Sequence, residues 1–460
     1  MTAATNALGR ELQLVHAAQW LYAINAEPFV PGAGDPYARL VRGFESGEDD
    51  AGGTLTSIAE RGPVWRSRLD TWVVTGPAAV RELFAGAEPA VSAAVPQAEA
   101  WLPDPERQRT TGLARDLARR GGTRAVGRSA GSLREQAGQV AARLGPGPVD
   151  LVGDFAEPLT AAAYAVILDV PEERRAAFAA DLVAAAPAVD ALLCPQTLET
   201  TRRLAAGVRG LRELFAGRAH AEADLVLAVA GARAAADLLG DALRGLLDRP
   251  REWELLRSDP AHAARLIAEV LHRRPLWRAC PLVALAPAEV AGAPIEAGDS
   301  VTVVTTTTAG TAGTSGIAGA AGASWPAGTA GIDGIDGASR AAGATAPAGT
   351  AGTAEPPSTA GTAEALNTGR VAGAGGAGEP GAITVLGEDT RTSGAPAPLP
   401  VPACATLLPA ARAVAEYGLV ALAARFPGVR PGGEVVRGRR APLTRRLVRL
   451  PARIGEEETR

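Results

Sequence analysis

Lysine is absent from the 460-residue chain, so arginine supplies all 46 of its lysine-plus-arginine positions. A Schiff base to a substrate carbonyl needs a lysine amine, and the phosphate-binding P-loop ends in a lysine. Both kinds of site are therefore excluded. The formal net charge is −4, and no excess of positive charge points to nucleic acid or an anionic membrane surface as a partner.

Cysteine and histidine, which are common ligands of structural and catalytic zinc, are also scarce. The three cysteines, Cys194, Cys280 and Cys404, are odd in number and far apart, which argues against a disulfide framework and a zinc knuckle. The four histidines show no H-E-x-x-H spacing. We therefore expect no metal site in this chain.

Long apolar runs are missing as well, because no segment approaches the roughly 20 apolar residues that a membrane span needs. The sequence MTAATNALGRELQLVH at residues 1–16 has no apolar region behind a basic start, so it does not indicate a signal peptide. The expectation is a soluble cytoplasmic protein without membrane contact.

Helical periodicity dominates the remaining pattern. Residues 8–25 read as an amphipathic helix, and residues 104–247 read as almost wholly helical. Enriched tryptophan, valine and threonine mark residues 64–76 as extended, and turn residues followed by valines predict a small sheet over residues 289–305. Alternation over residues 434–452 predicts a terminal hairpin. This pattern favours a mainly α fold with small β-sheets, in the α+β class.

A compositional break divides the chain at residues 305–396, where alanine, glycine, threonine, serine and proline dominate. The tetrapeptide AGTA recurs there, but its uneven spacing and the few aliphatic residues argue against a solenoid. Such a segment buries too little apolar surface to offset its ordering entropy. We predict a disordered insertion between an N-terminal part, residues 1–304, and a C-terminal part, residues 397–460, of one domain.

Four segments in order carry a family resemblance: GPVWRSRLDTWVVTGPAAVRELF at 62–84, PVDLVGDFAEPLTAAAYAVILDVPEERRAAF at 148–178, a helix and sheet at 265–304, and LAARFPGVRPGGEVVRGRRAPLTRRLVRLPA at 422–452. Together they resemble the cytochrome P-450 (haem-thiolate monooxygenase) fold. The resemblance implies a P-450-like fold interrupted by the insertion. Because fold alone does not give function, each working part of such an enzyme must be checked.

The oxygen-activating helix of this family carries an Ala-Gly pair followed by an acid and a threonine. Here Ala230 and Gly231 are present, but Arg233 and Ala234 stand in the places of the acid and the threonine. A guanidinium cannot deliver protons at neutral pH, and a methyl group cannot hydrogen-bond. We expect this helix to cross the core, with side chains rather than a haem beside Gly231.

The iron-ligating cysteine of the family lies in a Phe-Gly-x-Gly-x-His/Arg-x-Cys-x-Gly loop, and Cys404 lies close to that place. The motif positions around it are occupied by Ala397, Pro400, Pro402 and Thr406. Prolines supply no N–H donors to a ligating sulfur, and such donors tune the ligand. Cys404 therefore reads better as a small residue before a helix. The alternative is a haem-thiolate monooxygenase of secondary metabolism with Cys404 as the iron ligand.

The family's Glu-x-x-Arg brace is also altered, because the chain has Glu269 followed by His272 at the arginine position. Arg273, one residue further on, could partly replace the missing arginine in this ion pair. The motif can therefore survive as a structural brace but does not mark an iron site.

Haem propionates in the family are bound by a His-x-x-x-Arg motif on an early helix. The corresponding stretch has Arg115, Arg119 and Arg120 but no histidine. We predict that these arginines form a solvated helix face.

A subgroup of this family shares both the fold and the missing haem motifs. LGRELQLVHAAQWLYAINAEPF at 8–29 and RSRLDTWVVTG at 66–76 are similar to P-450-like auxiliary proteins that partner deoxysugar glycosyltransferases in macrolide and related antibiotic pathways. The resemblance implies a cytoplasmic actinobacterial protein that is not an enzyme, binds no haem, and activates or stabilises its glycosyltransferase in a hetero-oligomer.

Candidate partner-binding residues are the apolar and aromatic side chains of these two segments, because aromatic anchors are favoured at interfaces. They are Leu12, Leu14, Trp20, Tyr22 and Trp72. Packing of the N-terminal helix against its own domain is an equal alternative. A third hypothesis for the whole chain is a scaffold with another partner or a bound small molecule.

Overall fold

The structure is a computed structural model, and it describes most of the chain outside the insertion: residues 34–42, 51–83, 91–93, 111–194, 196–273, 276–284, 286–305 and 402–455. Residues 8–25 and residues 306–396 lie outside this part. The predictions of an N-terminal amphipathic helix and of a disordered insertion therefore stay predictions.

Helices make up most of the described chain, which confirms the mainly α class. In chain order they are α1 Pro36–Arg42, α2 Ala51–Glu60, α3 Pro77–Leu83, α4 Thr111–Gly121, α5 Thr123–Arg128, α6 Ala130–Ala142, α7 Glu157–Ile167, α8 Arg175–Ala185, α9 Leu198–Phe215, α10 Ala221–Val226, α11 Ala232–Leu247, α12 Pro250–Ser258, α13 His262–Arg273 and α14 Pro402–Arg425. A π-helical turn, Leu151–Ala156, leads into α7, and another, Leu227–Gly231, joins α10 to α11.

The strands form small sheets, as the pattern predicted. They are β1 Val64–Arg66, β2 Thr71–Val74, β3 Val91–Ala93, β4 Gly147–Asp150, β5 Ala279–Ala284, β6 Ala288–Val290, β7 Ala293–Ile295, β8 Ser300–Val304, β9 Val429–Pro431, β10 Val436–Arg437, β11 Leu447–Arg449 and β12 Pro451–Ile454. The largest described sheet has the order β1-β2-β8-β5-β3, and a second has the order β4-β12-β9. The remaining described pairs are β6-β7 and β10-β11.

Strand pairing corrects two details of the sequence pattern. Over residues 289–305, β6 pairs with β7, whereas β8 runs parallel to β2, with Thr71 opposite Ser300. Over residues 434–452, β10 and β11 form the predicted hairpin, but β12 pairs with β4 and β9. Both segments therefore bridge parts of the chain that are distant in sequence.

The central helix, residues 221–247, consists of α10, the π-helical turn and α11. Every residue from 223 to 240 is buried, and a helix that is buried on all of its faces is typical of a protein interior. This confirms that the segment with Gly231 crosses the core. Helix α14 packs along it at Gly418, where a Cβ would lie 2.7 Å from Leu159 Cδ2 and 3.0 Å from Leu239 Cδ2. The close approach therefore depends on glycine.

Helix α14 also corrects the expectation about apolar runs. Its window Thr406–Arg425 has a mean hydropathy of 1.4, and by length and composition alone it could cross a membrane. Half of this window is buried in the protein, and Leu407, Val414, Leu419 and Leu422 are each at most 1% exposed. A core helix of a soluble protein passes the same test, so the window is weak evidence for a span.

Candidate functional site

Arg233, the residue that replaces the family's acid, is locked inside the protein by a bidentate ion pair. Its Nε donates to Asp237 Oδ2 at 3.0 Å and its Nη2 donates to Asp237 Oδ1 at 2.7 Å, one helical turn later. Its Nη1 reaches Glu157 Oε1 on α7 at 3.4 Å. The side chains of Arg233 and Asp237 are only 4% and 7% exposed. Two parallel N–H···O bonds fix the guanidinium in one orientation.

Burial also controls the protonation of this pair. It raises the pKa of Asp237 to about 7, although the charge and hydrogen bonds of Arg233 oppose the rise. Desolvation acts against the charge of Arg233, but Asp237 and Glu157 outweigh it and keep the pKa of the guanidinium above its ordinary value. Arg233 is therefore a permanent buried cation and cannot serve as a proton relay.

A second buried carboxylate extends the polar cluster toward the C-terminal segment. Asp190 accepts hydrogen bonds from the backbone N–H groups of Leu443 and Thr444, at 2.9 and 3.1 Å, and from Thr444 Oγ1 at 2.6 Å. Burial raises the pKa of Asp190 in spite of these bonds. The pairing spans more than 250 residues and ties the chain after α8 to the segment between β10 and β11.

The space beside Gly231 is filled by Tyr164 of α7. A Cβ on Gly231 would lie 3.0 Å from the Tyr164 hydroxyl oxygen and 3.1 Å from its Cε1. The Tyr164 side chain is fully buried, its hydroxyl has no hydrogen-bond partner, and burial raises its pKa. This confirms the prediction that side chains lie beside Gly231.

The described residues of the central helix do not fit the oxygen chemistry of a haem monooxygenase. The guanidinium of Arg233 is held by Asp237, and Ala234 offers only a methyl group. Cys404 lies in the first turn of α14, where the backbone places it inside the helix rather than before it. The Cys404 side chain and residues 397–401 lie outside the described part, so iron ligation by Cys404 is not tested.

No protein-family model matches the chain. Individual proteins of known sequence do match it and show its family. Protein TylM3 of Streptomyces fradiae is 32% identical over an alignment 466 positions long, which covers 96% of this chain and 92% of TylM3. The chain belongs to the TylM3 family. The assignment confirms the resemblance to P-450-like auxiliary proteins that the N-terminal segments indicated.

Further relatives and structures agree with this family. Protein DesVIII of Streptomyces venezuelae is 31% identical, with 65% of this chain and 72% of DesVIII covered. Cytochrome P450 family protein EryCII of Saccharopolyspora erythraea is 30% identical, with coverages of 65% and 74%. The open cytochrome P450 EryK of S. erythraea superposes with a TM-score of 0.58 at 18% identity, covering 91% of this chain and 99% of EryK. Ligand-free CYP164A2 of Mycobacterium smegmatis has a TM-score of 0.60 at 15% identity, with the same coverages. The two structures show that this TylM3 family member has the cytochrome P450 fold.

Arg249 binds Glu269, the residue that occupies the acid position of the Glu-x-x-Arg brace. Arg249, just before α12, places its Nη1 3.0 and 3.1 Å from the two carboxylate oxygens of Glu269. His272 is exposed, and the side chain of Arg273 lies outside the described part, so replacement by Arg273 stays a prediction. Spacing along one helix did not indicate Arg249 as the partner, because Arg249 precedes α12 whereas Glu269 lies on α13.

The prediction that Arg115, Arg119 and Arg120 form a solvated face of α4 is wrong for Arg120. Arg115 and Arg119 are exposed, but Arg120 is partly buried. Its Nε donates to Asp224 Oδ1 at 2.7 Å and its Nη1 donates to Asp169 Oδ2 at 3.1 Å. The side chain of Asp224 is only 2% exposed, and a buried carboxylate needs a cation beside it.

Only one of the predicted partner-binding residues lies in the described part of this TylM3 family chain. Leu12, Leu14, Trp20 and Tyr22 lie outside it. Trp72 is half-buried on β2, where its indole N–H donates to Asp299 Oδ2 at 2.8 Å, and the guanidinium of Arg66 lies 5.4 Å from the ring centroid. These contacts give Trp72 an intramolecular role, and its role in partner binding stays a prediction.

The two described thiols offer no nucleophile. Cys194 and Cys280 are buried and are not joined in a disulfide within the described part, and burial raises the pKa of each to about 12. A reactive cysteine has a lowered pKa and solvent access. In the described residues, no group of three or more histidine, cysteine, aspartate or glutamate side chains could hold a metal ion.

Proposed function

We propose that this protein is a non-catalytic auxiliary protein of a glycosyltransferase. The glycosyltransferase would transfer a nucleotide-activated deoxysugar to a macrolide-type polyketide aglycone, and this chain would bind it and activate or stabilise it. One observation carries the proposal: in a member of the TylM3 family, the position of the oxygen-activating acid holds Arg233 in a buried ion pair with Asp237. The chain has the cytochrome P450 fold, but the polar side chains Arg233 and Asp237 of its central helix bind each other inside the protein.

A protein without an active site can act through mass action. A partner that binds only the competent form of an enzyme raises the population of that form. At a concentration one hundred times the dissociation constant, binding stabilises the competent form by about 2.7 kcal/mol. This is enough to raise a form present at about 1% to about half of the molecules. Activation therefore requires a hetero-oligomer and no chemistry in the auxiliary chain.

The proposal includes the absence of haem and a cytoplasmic location. Nucleotide-activated sugars are intracellular metabolites, so this chain and the glycosyltransferase would meet in the cytoplasm. Within the central helix, neither Arg233 nor Ala234 supplies the proton-relay groups that a haem monooxygenase uses. Tyr164 fills the space beside Gly231, which supports the proposal that this helix faces packed side chains.

Reconstitution tests the function. Deoxysugar glycosyltransferases of the source strain are expressed with and without this chain, and sugar transfer to a macrolide aglycone is measured. We expect the activity of one of them to fall at least about tenfold when the chain is omitted, and the two proteins to elute together in size-exclusion chromatography. If every glycosyltransferase is equally active alone, the activator role is wrong, and a scaffold for another partner becomes the better hypothesis.

A separate measurement tests the monooxygenase alternative. The purified, reduced chain is exposed to carbon monoxide, and the difference spectrum is compared with that of Cys404→Ser. We expect no thiolate-type Soret band in either protein. A strong band that disappears in the serine variant would assign iron ligation to Cys404 and overturn the non-catalytic proposal.

A further inference from the structure

Asp35 joins the start of α1 to the turn between β1 and β2. Its Oδ1 accepts hydrogen bonds from the backbone N–H groups of Tyr37 and Ala38, at 2.9 and 3.3 Å. Its Oδ2 accepts from Ser67 Oγ at 2.6 Å and from the backbone N–H of Arg68 at 2.7 Å. One carboxyl oxygen therefore caps a helix, and the other binds a turn that lies 32 residues further along the chain.

The second half of this contact is more than a helix cap requires. A capping side chain satisfies the free N–H groups of the first helical turn with one oxygen. Asp35 and Ser67 are only 3% and 5% exposed, and a hydrogen bond shielded from water is electrostatically stronger than one in water. The start of α1 is therefore fixed on the turn at residues 67–71.

Two further contacts hold the same part of the chain on the sheet. The Nη2 of Arg61 donates to the carbonyl oxygen of Gly34 at 3.0 Å, and its guanidinium lies 5.4 Å from the ring centroid of Trp65 on β1. The hydroxyl of Tyr37 lies 2.7 Å from Thr302 Oγ1 on β8. The direction from which the chain reaches α1 is thus set by strands β1, β2 and β8.

The same turn presents a guanidinium and an aromatic ring on its outer side. Arg66 and Trp72 are opposite each other on β1 and β2, and the Arg66 guanidinium stacks over the Trp72 ring. The Arg66 side chain is 47% exposed, and its Nη2 donates to Asp70 Oδ1 at 2.6 Å. Arginine and tryptophan are among the residues that contribute most to binding at protein interfaces.

The other predicted partner-binding residues all precede Gly34 in the chain: Leu12, Leu14, Trp20 and Tyr22. The segment that carries them enters the described part at Gly34, beside the turn that carries Trp72. When two binding elements are held on one body, the second contact loses less freedom on binding than it would if the link were flexible. A fixed start of α1 therefore favours simultaneous binding by both elements.

We propose that Asp35 is a positioning residue for glycosyltransferase binding. It fixes the point where the N-terminal segment leaves the domain to the turn with Arg66 and Trp72, and both elements bind the same glycosyltransferase. Asp35 itself is buried and contacts no partner. This inference rests on the proposed function and on the predicted role of the N-terminal segment.

Two variants of the full chain weaken the link at Asp35. Ser67→Ala removes the hydroxyl donor and adds no atom. Asp35→Asn keeps one oxygen as an acceptor for the helix but replaces the other with an N–H donor, which cannot accept from the backbone of Arg68. Both variants keep the exposed side chains of the turn unchanged.

A matched control exists in the C-terminal part. Thr444 Oγ1 donates to Oδ2 of the buried Asp190 at 2.6 Å, the same distance as in the Ser67–Asp35 pair. Thr444 Oγ1 also accepts from the backbone N–H of Arg446 at 3.2 Å, as Ser67 Oγ does from that of Leu69 at 3.1 Å. Thr444→Val therefore removes the same kind of hydrogen bond far from the N-terminal segment.

The glycosyltransferase that the wild type activates is titrated with each variant. We expect Ser67→Ala and Asp35→Asn to raise the concentration for half-maximal activation about two- to tenfold, as the loss of one hydrogen bond does. The maximal activity should stay that of the wild type, because only binding is weakened. Thr444→Val should lower the melting temperature about as much as Ser67→Ala does, yet activate like the wild type.

A double-variant cycle with Trp20→Ala tests whether Asp35 acts through the N-terminal segment. Trp20→Ala removes an aromatic anchor from that segment. If Asp35 positions the segment, Ser67→Ala should weaken activation less in the Trp20→Ala background than in the wild type, because the two changes affect one interaction. A general loss of stability would act equally in both backgrounds.

Other outcomes separate the two proposals. If the wild type activates no glycosyltransferase, the proposed function itself fails. If the wild type activates and both Asp35-link variants act like it, the positioning role is wrong while the function stands. The positioning role is also wrong if Thr444→Val weakens activation as much as Ser67→Ala, or if Ser67→Ala has the same effect in the Trp20→Ala background as in the wild type.

Discussion

Replacing Arg233 with methionine removes the cation from a buried carboxylate. In the wild type, Arg233 donates to both oxygens of Asp237, and the two side chains are 4% and 7% exposed. Breaking a buried ion pair by removing one partner costs about 3–5 kcal/mol, because the remaining charge has lost its compensation. Arg233→Met should therefore lower the free energy of unfolding by about this amount at pH 8.

The cost should depend on pH with a definite sign. The pKa of Asp237 is about 7 in the presence of Arg233, and removal of the guanidinium raises it further. At pH 8 the carboxyl in the variant must either stay charged without its cation or take up a proton. At pH 5.5 the carboxyl is already neutral in the folded protein, so less is lost. The destabilisation should shrink as the pH falls from 8 to 5.5.

A double variant provides the control. Arg233→Met with Asp237→Leu replaces the pair with apolar groups of similar size, which is often neutral or stabilising. Urea unfolding of wild type, single and double variants, followed by circular dichroism at both pH values, measures the three free energies. If the single variant loses less than about 1 kcal/mol at pH 8, or if the double variant is no more stable than the single one, the reasoning about an uncompensated buried charge is refuted.

Three further predictions concern the same helices. Burial raises the pKa of Asp237 from 3.8 to about 7, so the folded protein holds this proton more tightly than the unfolded chain does. The stabilisation that results is complete below about pH 4 and falls by on the order of 3–4 kcal/mol between pH 4 and pH 7. Asp237→Asn should remove this pH dependence of the free energy of unfolding, measured by urea unfolding across that range. Tyr164→Phe should raise the free energy of unfolding by about 1 kcal/mol by removing an unpaired buried hydroxyl, and Gly231→Ala should destabilise the wild type more than this Phe background in thermal melts; equal effects would contradict the contact. Gly418→Ala should cost about 1–3 kcal/mol in urea unfolding, because its Cβ would overpack Leu159, and a neutral result would mean that α14 can move away.

Periodicity and family resemblance predicted the elements of this fold better than their partners. The central helix was placed correctly because its Ala230-Gly231 pair matches the central helix of the family it resembles, although the charged residues Arg233 and Asp237 interrupt its apolar pattern. The small sheets were also found, since valine-rich alternation marks strands. Strand β12 was assigned to the wrong neighbour. Alternation shows which face of a strand is buried and carries no information on which strand pairs with it.

Long-range ion pairs were missed for a related reason. Arg120 and Asp224 are 104 residues apart, and Arg249 and Glu269 are 20 residues apart. Spacing rules connect side chains on one helix, but no local signal connects residues on two helices. A sequence signal did exist for Arg233, because Asp237 follows it by four residues on an apolar helix, and an acid at i+4 is the natural partner of a buried arginine.

The unpaired hydroxyl of Thr160 had no sequence signal at all. Thr160 is buried on α7, and its Oγ1 has no hydrogen-bond partner. Alanine-rich helices are common in this chain, and a single threonine in such a helix reads as neutral. Only the packed structure distinguishes a hydroxyl that bonds within its own helix from one that stays unpaired.

The contacts of Arg233 also explain why an acid would not fit at position 233 in the present structure. An acid at position 233 would lie in a buried site beside Glu157 and Asp237, the two carboxylates that now bind the guanidinium. Three carboxylates without a cation in a buried site repel one another and must take up protons to remain there. The pKa of Asp237 is about 7 even beside an arginine. A second negative charge next to it would raise this pKa further, and the carboxyl would be protonated at neutral pH. Arg233 and Asp237 therefore depend on each other, and an acid at position 233 would also require a change at Asp237.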